Sequence, residues 1–209
     1  MKSFQIGECR VDLLPVVNGL VSETEKVREV YGRYEAYAVT LGIEGLEAVR
    51  RRAEIGDDGY EVSELDIVYS KRMGIFGDVE IPSPALCELV DACARDGVPI
   101  IPLDMCDEDY DTAYIECVNA FQFTNQHRLA KKGLKTKLDA TSPEAMARSW
   151  DAYIASKNKG LHKLDLKREA HIASEILDTA KYRRSLLVLI ECERADGVAE
   201  ALADATGMR

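Results

Sequence analysis

The sequence predicts an α/β fold: a small, mostly parallel central sheet with flanking helices and a helical excursion before the last strand. Three observations predict it. Leu186 to Ile190 is an unbroken apolar run, and a strand without polar alternation is one buried on both faces, as in a parallel sheet covered by helices. Segments of helical period separate the earlier strand-like runs, which is the spacing of βα units. From about residue 107 to 182 helical signals follow one another with no strand signal between them. Residues 1–209 together read as a single domain of ordinary size.

Residues 3–9 form the first predicted strand, and Arg10 to Val17 either extends it or makes a hairpin partner, with Asn18-Gly19 as the turn signal. Ser22 and Glu25 have the spacing of a capping box, opening a helix through about Tyr31 that Gly32 ends. Residues 36–41 read as a second strand. Ile43 to about Ile55 is a helix with Leu46, Val49 and Ala53 inward, broken by Asp57-Asp58-Gly59. Residues 61–77 fit one helix and its exit loop. Ser83, Pro84 and Gly97 bracket a helix over 84–96. Residues 98–103 are a third strand, placed at an edge because Pro99 and Pro102 cannot donate to a ladder. The acids Asp107, Glu108 and Asp109 open a helix running to about Phe123, with Tyr110, Tyr114 and Phe121 on one face. Ser142-Pro143-Glu144 opens another, carrying Met146, Trp150, Tyr153 and Ile154 inward and closed by Gly160. Asp165 caps a helix to about Tyr182 with Ala170, Ala173, Leu177 and Ala180 on its core face and Arg168 at that face's margin. After the last strand, Val198 to Ala205 makes a terminal helix.

Composition narrows the chemistry. No apolar run approaches the length of about 18 residues that crosses a bilayer, and Met1-Lys2-Ser3-Phe4 does not lead into a signal peptide's apolar region, so a cytoplasmic protein is expected. The six cysteines show no CxxC pairing and read as reduced thiols. A net charge of −10 argues against a general nucleic-acid or anionic-membrane binder. Residues 126–168 carry eleven Lys or Arg against four acids, so this segment is +7 and the remainder −17. A solvated helical face accounts for that excess, and an acidic partner docked on it is the weaker reading.

GxGxxG, GxxxxGK[ST], GxSxG and HExxH are all missing, which removes the usual support for dinucleotide, P-loop, serine-hydrolase and zincin chemistry. His127, His162 and His171 all fall in or near the helical excursion. Charge gathers at strand ends instead: Glu8 and Arg10 after the first run, Thr40 after the second, Asp104 after the third, and Glu191, Glu193 and Arg194 after the last, with Arg168 near them. The C-terminal edge of a parallel sheet is where α/β proteins hold ligands. Such a rim serves as an ion-pair network, as an anion pocket, or as a carboxylate site for a hard cation such as Mg²⁺. Cys9 and Cys192 could meet across adjacent strand ends, but no histidine base accompanies them.

Several stretches resemble the TraB/PrgY type, related in fold to the Tiki proteases, the erythromycin esterases and the ChaN-like heme-binding proteins. Val21-Ser22-Glu23-Thr24-Glu25-Lys26-Val27 resembles the helix start that follows the family's first-strand GxxH motif, and Ala38 to Leu41 its strand ending in Glu. Arg168 to Ala173 resembles its arginine-led helix, and Glu191 to Gly197 its strand ending in G-x-G-H-x-x-G. Here the family's first histidine falls on Arg10 or on Leu20, its glutamate on Thr40 and its second histidine on Arg194, while Arg168 matches in kind. The resemblance implies the fold and undercuts the metal-dependent activity, because arginine stays protonated and cannot ligate a metal. The expectation is a non-catalytic binding or interaction protein with an arginine/carboxylate cluster, Arg10 and Arg194 converging above the sheet. It would have no cofactor, a small anion as ligand and a homodimeric assembly. The competing expectation is a metal-dependent hydrolase of a peptide, ester or phosphoester, using Glu8, Asp104, Glu191 and Glu193 for a divalent metal.

Overall fold

The structure, a computed structural model, describes residues 1–56 and 62–207. The sheet is built as expected from Leu186 to Ile190 outward. Strand β5 (Ser185–Glu191) lies at its centre, parallel to β2 (Cys9–Val16) on one side and to β3 (Ala36–Val39) on the other. β4 (Ile100–Pro102) pairs parallel with β3 at one edge, and β1 (Lys2–Ile6) pairs antiparallel with β2 at the other, giving the order β1-β2-β5-β3-β4. Of the two readings of residues 10–17, the hairpin is the one adopted, and its turn falls at Gly7-Glu8 rather than at Asn18-Gly19. The proline-bearing strand takes an edge, where its missing donors cost no ladder bond.

The unbroken apolar run of β5 has the double burial it implies. Leu186, Val188 and Ile190 face a layer made by α10 (Lys159–Ala180) and α11 (Ala195–Thr206), through Ile172, Ile176, Val198 and Leu202. Leu187 and Leu189 face the other layer, made by α1 (Thr24–Val30), α2 (Ile43–Arg50) and α5 (Pro84–Asp96), through Val27, Leu46, Leu89 and Val90. Residues 186–190, the five apolar residues of β5, are all buried. At about 1.5–3 kcal/mol for each fully buried aliphatic side chain, this strand is the fold's main apolar anchor.

Among the described residues there are six more helices: α3 (Arg52–Ile55), α4 (Glu64–Met73), α6 (Asp107–Cys117), α7 (Ala120–Thr124), α8 (Gln126–Gly133) and α9 (Pro143–Lys157). A third cluster, containing Val17, Leu20, Met73, Leu129, Trp150 and Cys192, joins α4, α8 and α9 to the C-terminal end of the sheet. The helical excursion thus roofs the strand ends.

Several predicted boundaries move for local reasons. Ser22 makes no cap; Val21–Glu23 is a 3-10 turn, and the buried Glu23 instead accepts the Val17 amide at 2.9 Å. The helix predicted to Phe123 stops at Cys117 because Asn119 restarts it, accepting from the Gln122 amide in a capping box. The long helix begins at Lys159 rather than Asp165, since Asn158 accepts from the Gly160 and Leu161 amides. Gly160 lies within it, where a Cβ would stand 2.7 Å from the Cys117 carbonyl oxygen. Gly160 therefore permits close packing and terminates nothing. α11 starts three residues before the predicted Val198, at Ala195. Ala53 and Ala170 are exposed rather than inward, and Phe121, in α7, does not share a helix with Tyr110 and Tyr114. The predicted break at Asp57-Asp58-Gly59 lies outside the described residues.

Candidate functional site: the C-terminal edge of the sheet

β3 and β5 end side by side, and their last polar residues meet. The Thr40 hydroxyl donates to Glu191 Oε2 at 2.7 Å. Arg194, the N-cap of α11, places Nε 3.8 Å from the same oxygen and donates from Nη1 to Asp165 of α10 at 3.3 Å. Asp104, which follows β4, is held by Arg168 of α10, whose Nε donates at 3.0 Å, and its second oxygen accepts the Met105 amide at 2.9 Å. Arg168 also lies over the Tyr110 ring, 5.5 Å from its centroid. Gly42 lets these loops meet, because a Cβ there would stand 2.3 Å from the Met105 carbonyl oxygen.

Of the eight residues expected at the rim, six come together: Thr40, Asp104, Arg168, Glu191, Glu193 and Arg194. Glu8 and Arg10 do not. The register pairs Arg10 with Ser185 and Val16 with Glu191, so Arg10 sits at the opposite end of the sheet, about 20 Å away at the usual rise per residue. There it binds the fully buried Asp12 at 2.8 Å, with Tyr34 donating to the same carboxylate at 2.5 Å. Burial works to raise the pKa of Asp12, yet hydrogen bonds from Ser3, Tyr34 and Arg10 prevail and hold it below the usual range. Glu8 lies in the hairpin turn beside Arg10, and the expected convergence of Arg10 and Arg194 is overturned. The same register separates Cys9 from Cys192, whose amide donates to the Val16 carbonyl at 2.9 Å. Leu20, the other position in line for the family's first histidine, does lie toward the C-terminal end, buried in the cluster with Trp150 and Met73.

The local charge is unevenly balanced. Glu191, Asp165, Asp104 and Glu193 all act on Arg194, holding it charged although burial opposes that, and Arg168 is the second cation. Glu193 rises to about 7, first through burial and then through the charge of Glu191. Glu169 also rises to about 7, through burial and the nearby Asp165 and Asp151 against the pull of Arg194. Asp151 is raised as well, by burial and Asp165. Burial drives the Cys192 thiol upward, with Glu193 adding to it, so this cysteine is no thiolate nucleophile at neutral pH. Among the described residues, no three His, Cys, Asp or Glu side chains are placed to share a metal ion.

Beside the cluster a cleft of about 330 Å³ opens between α2, α4 and the segment leading into α5. Leu41, Val49, Ile81 and Leu86 make its apolar walls, Asn18, Tyr69 and Ser83 its neutral polar points, and Glu191 and Asp66 its charges. A recess of about 30 Å³ continues from it onto the strand ends at Val16, Val39, Thr40 and Leu189. The Tyr69 hydroxyl is buried with no hydrogen-bond partner.

Sequence reasoning missed Asp151, Glu169 and Tyr69. Asp165 and Glu169 stand three residues before and one after Arg168, a spacing that signals one helix face, but only the packing of α9, α10 and α11 joins them to Arg194. Tyr69 carried no signal. Comparison of the chain with protein-family models, with curated proteins and with solved structures gives no match.

Proposed function

We propose that the protein is a non-catalytic, TraB-like α/β binding protein whose ligand site is the cleft at the C-terminal edge of its sheet, with an arginine/carboxylate cluster in place of a metal site. The observation that carries this reading is the position of Arg168 and Arg194 among the carboxylates. Asp104, Asp165 and Glu191 each have a guanidinium within 4.0 Å, and a protonated guanidinium takes the room and lone pairs that a cation would need. The occupant of the adjoining cleft is not the small anion that three converging arginines would hold. Arg10 lies elsewhere, and the remaining two are outnumbered by carboxylates.

Metal analysis of protein purified without chelator tests the reading. We expect substoichiometric Mn, Co, Zn and Fe in the wild type; a stoichiometric metal that Glu191→Ala abolishes overturns it. Light scattering on the same preparation checks the expected homodimer.

The second reading, a metal-dependent hydrolase, draws support from Glu193 and Glu169, whose pKa values near 7 suit proton transfer at neutral pH. Its test is turnover of generic peptide, ester and phosphoester substrates with Mg²⁺ or Mn²⁺. Divalent-dependent turnover lost in Glu193→Ala would put hydrolysis in place of binding.

A further inference from the structure

Pockets that hold organic molecules are apolar with a few placed polar groups, and the polar groups set the ligand's charge. Here those groups are acidic or neutral. Among the described residues, no Lys, Arg or His lines the cleft, whereas Glu191 and Asp66 both do. Asp66 is exposed on α4, its Oδ2 accepting from the Ser63 hydroxyl and amide in the capping box, whereas Glu191 is half-buried, so Glu191 is the less water-screened of the two charges.

Glu191 is held in place with capacity to spare. Thr40 and Arg194 both approach Oε2, and an ionised carboxylate accepts through both oxygens. Arg194 does not cancel its charge, because that guanidinium is shared with Asp165 and stands among four carboxylates. Tyr69 lines the same cleft, and its buried hydroxyl has no partner in the protein, an omission that costs about 1–3 kcal/mol. Size agrees too. The volume of about 330 Å³ compares with the cavity of about 150 Å³ that takes up benzene elsewhere, and Gly45 and Ala48 keep the α2 wall low.

We propose that the cleft binds an organic cation: an apolar body of about one ring in size, seated on Leu41, Val49 and Leu86, with a protonated amine against Glu191. The proposal rests on the cleft being the binding site and adds the charge of its ligand.

Three probes of one shape separate the two claims: 2-phenylethylamine, 2-phenylethanol and phenylacetate, titrated into the full chain and followed by NMR shift perturbation. The amine is expected to bind at least tenfold tighter than the alcohol, with the phenylacetate weakest. Glu191→Gln should bring the amine to the affinity of the alcohol and leave the alcohol unchanged. If that variant does not fold, salt serves on the wild type: high ionic strength should weaken the amine and not the alcohol. Alcohol or phenylacetate binding as tightly as the amine overturns the cation proposal while the cleft stands as a site. Failure of all three to bind overturns the site and the proposal together.

Discussion

Arg194 Nε is buried without a hydrogen-bond partner, 3.8 Å from Glu191, while Nη1 of the same side chain binds Asp165. One guanidinium thus ties the end of β5 to α10, and removing it leaves two partly buried carboxylates without that shared cation. Arg194→Met keeps the apolar stem and deletes the charge. Breaking one side of a fully buried pair costs about 3–5 kcal/mol; Glu191 and Asp165 keep partial solvent access, so we expect about 2–4 kcal/mol, read as a lower urea midpoint by circular dichroism. An unfolding free energy within about 0.5 kcal/mol of wild type would mean that the pair is only a surface contact. Thr40, Glu191 and Arg194 were legible at strand ends, since charge following an apolar run marks the end of burial. Arg10 misled for the same reason, because a sequence does not say which end of a strand its charge stands on.

Two helical glycines show how an element records its surroundings. In α2, a Cβ on Gly45 would meet only Leu41 side-chain atoms at 3.7–3.9 Å, which is ordinary contact. In α8, a Cβ on Gly133 would lie 2.6 Å from the Trp150 ring, a rigid neighbour in the core below α9. Gly45→Ala should therefore stabilise by about 0.5–1 kcal/mol through helix propensity, or about 1–4 °C in Tm for a chain of this size. Gly133→Ala should destabilise, by about 1–3 kcal/mol for an overpacked site. Differential scanning calorimetry of both variants decides it; equal signs would refute this account of the α8–α9 contact. Helix α5 was legible to the residue because Ser83, Pro84 and Gly97 are local signals. The break at Val118 and the start at Lys159 were not, since Asn119 and Asn158 resemble ordinary loop residues until their side chains are seen capping the following amides.

Across the whole molecule, the raised carboxyls set a pH dependence. Glu169 and Glu193 go from an ordinary 4.5 to about 7, so the native state binds their protons more tightly than the unfolded chain does. Their contribution is complete below about pH 4.5 and is lost as pH rises through about 7. Asp12, Asp196 and Glu144 are held below their ordinary values and act in the opposite sense, their contribution being lost only in stronger acid. Thermal unfolding should therefore be most resistant near pH 5 and decline toward pH 7.5, and Glu193→Gln should flatten that decline. A midpoint that climbs steadily to pH 7.5 would contradict the burial of these groups. The amino-acid order by itself determined the α/β class, the doubly buried last strand, the edge strand and the long helical excursion, because hydrophobic period and backbone punctuation act between near neighbours. Tertiary structure alone decided which end of β2 lies at the edge carrying Arg194, which carboxylates share Arg194, and that a cleft opens beside Glu191. Those depend on strand register and on helices brought together from distant parts of the chain, and no local pattern encodes either.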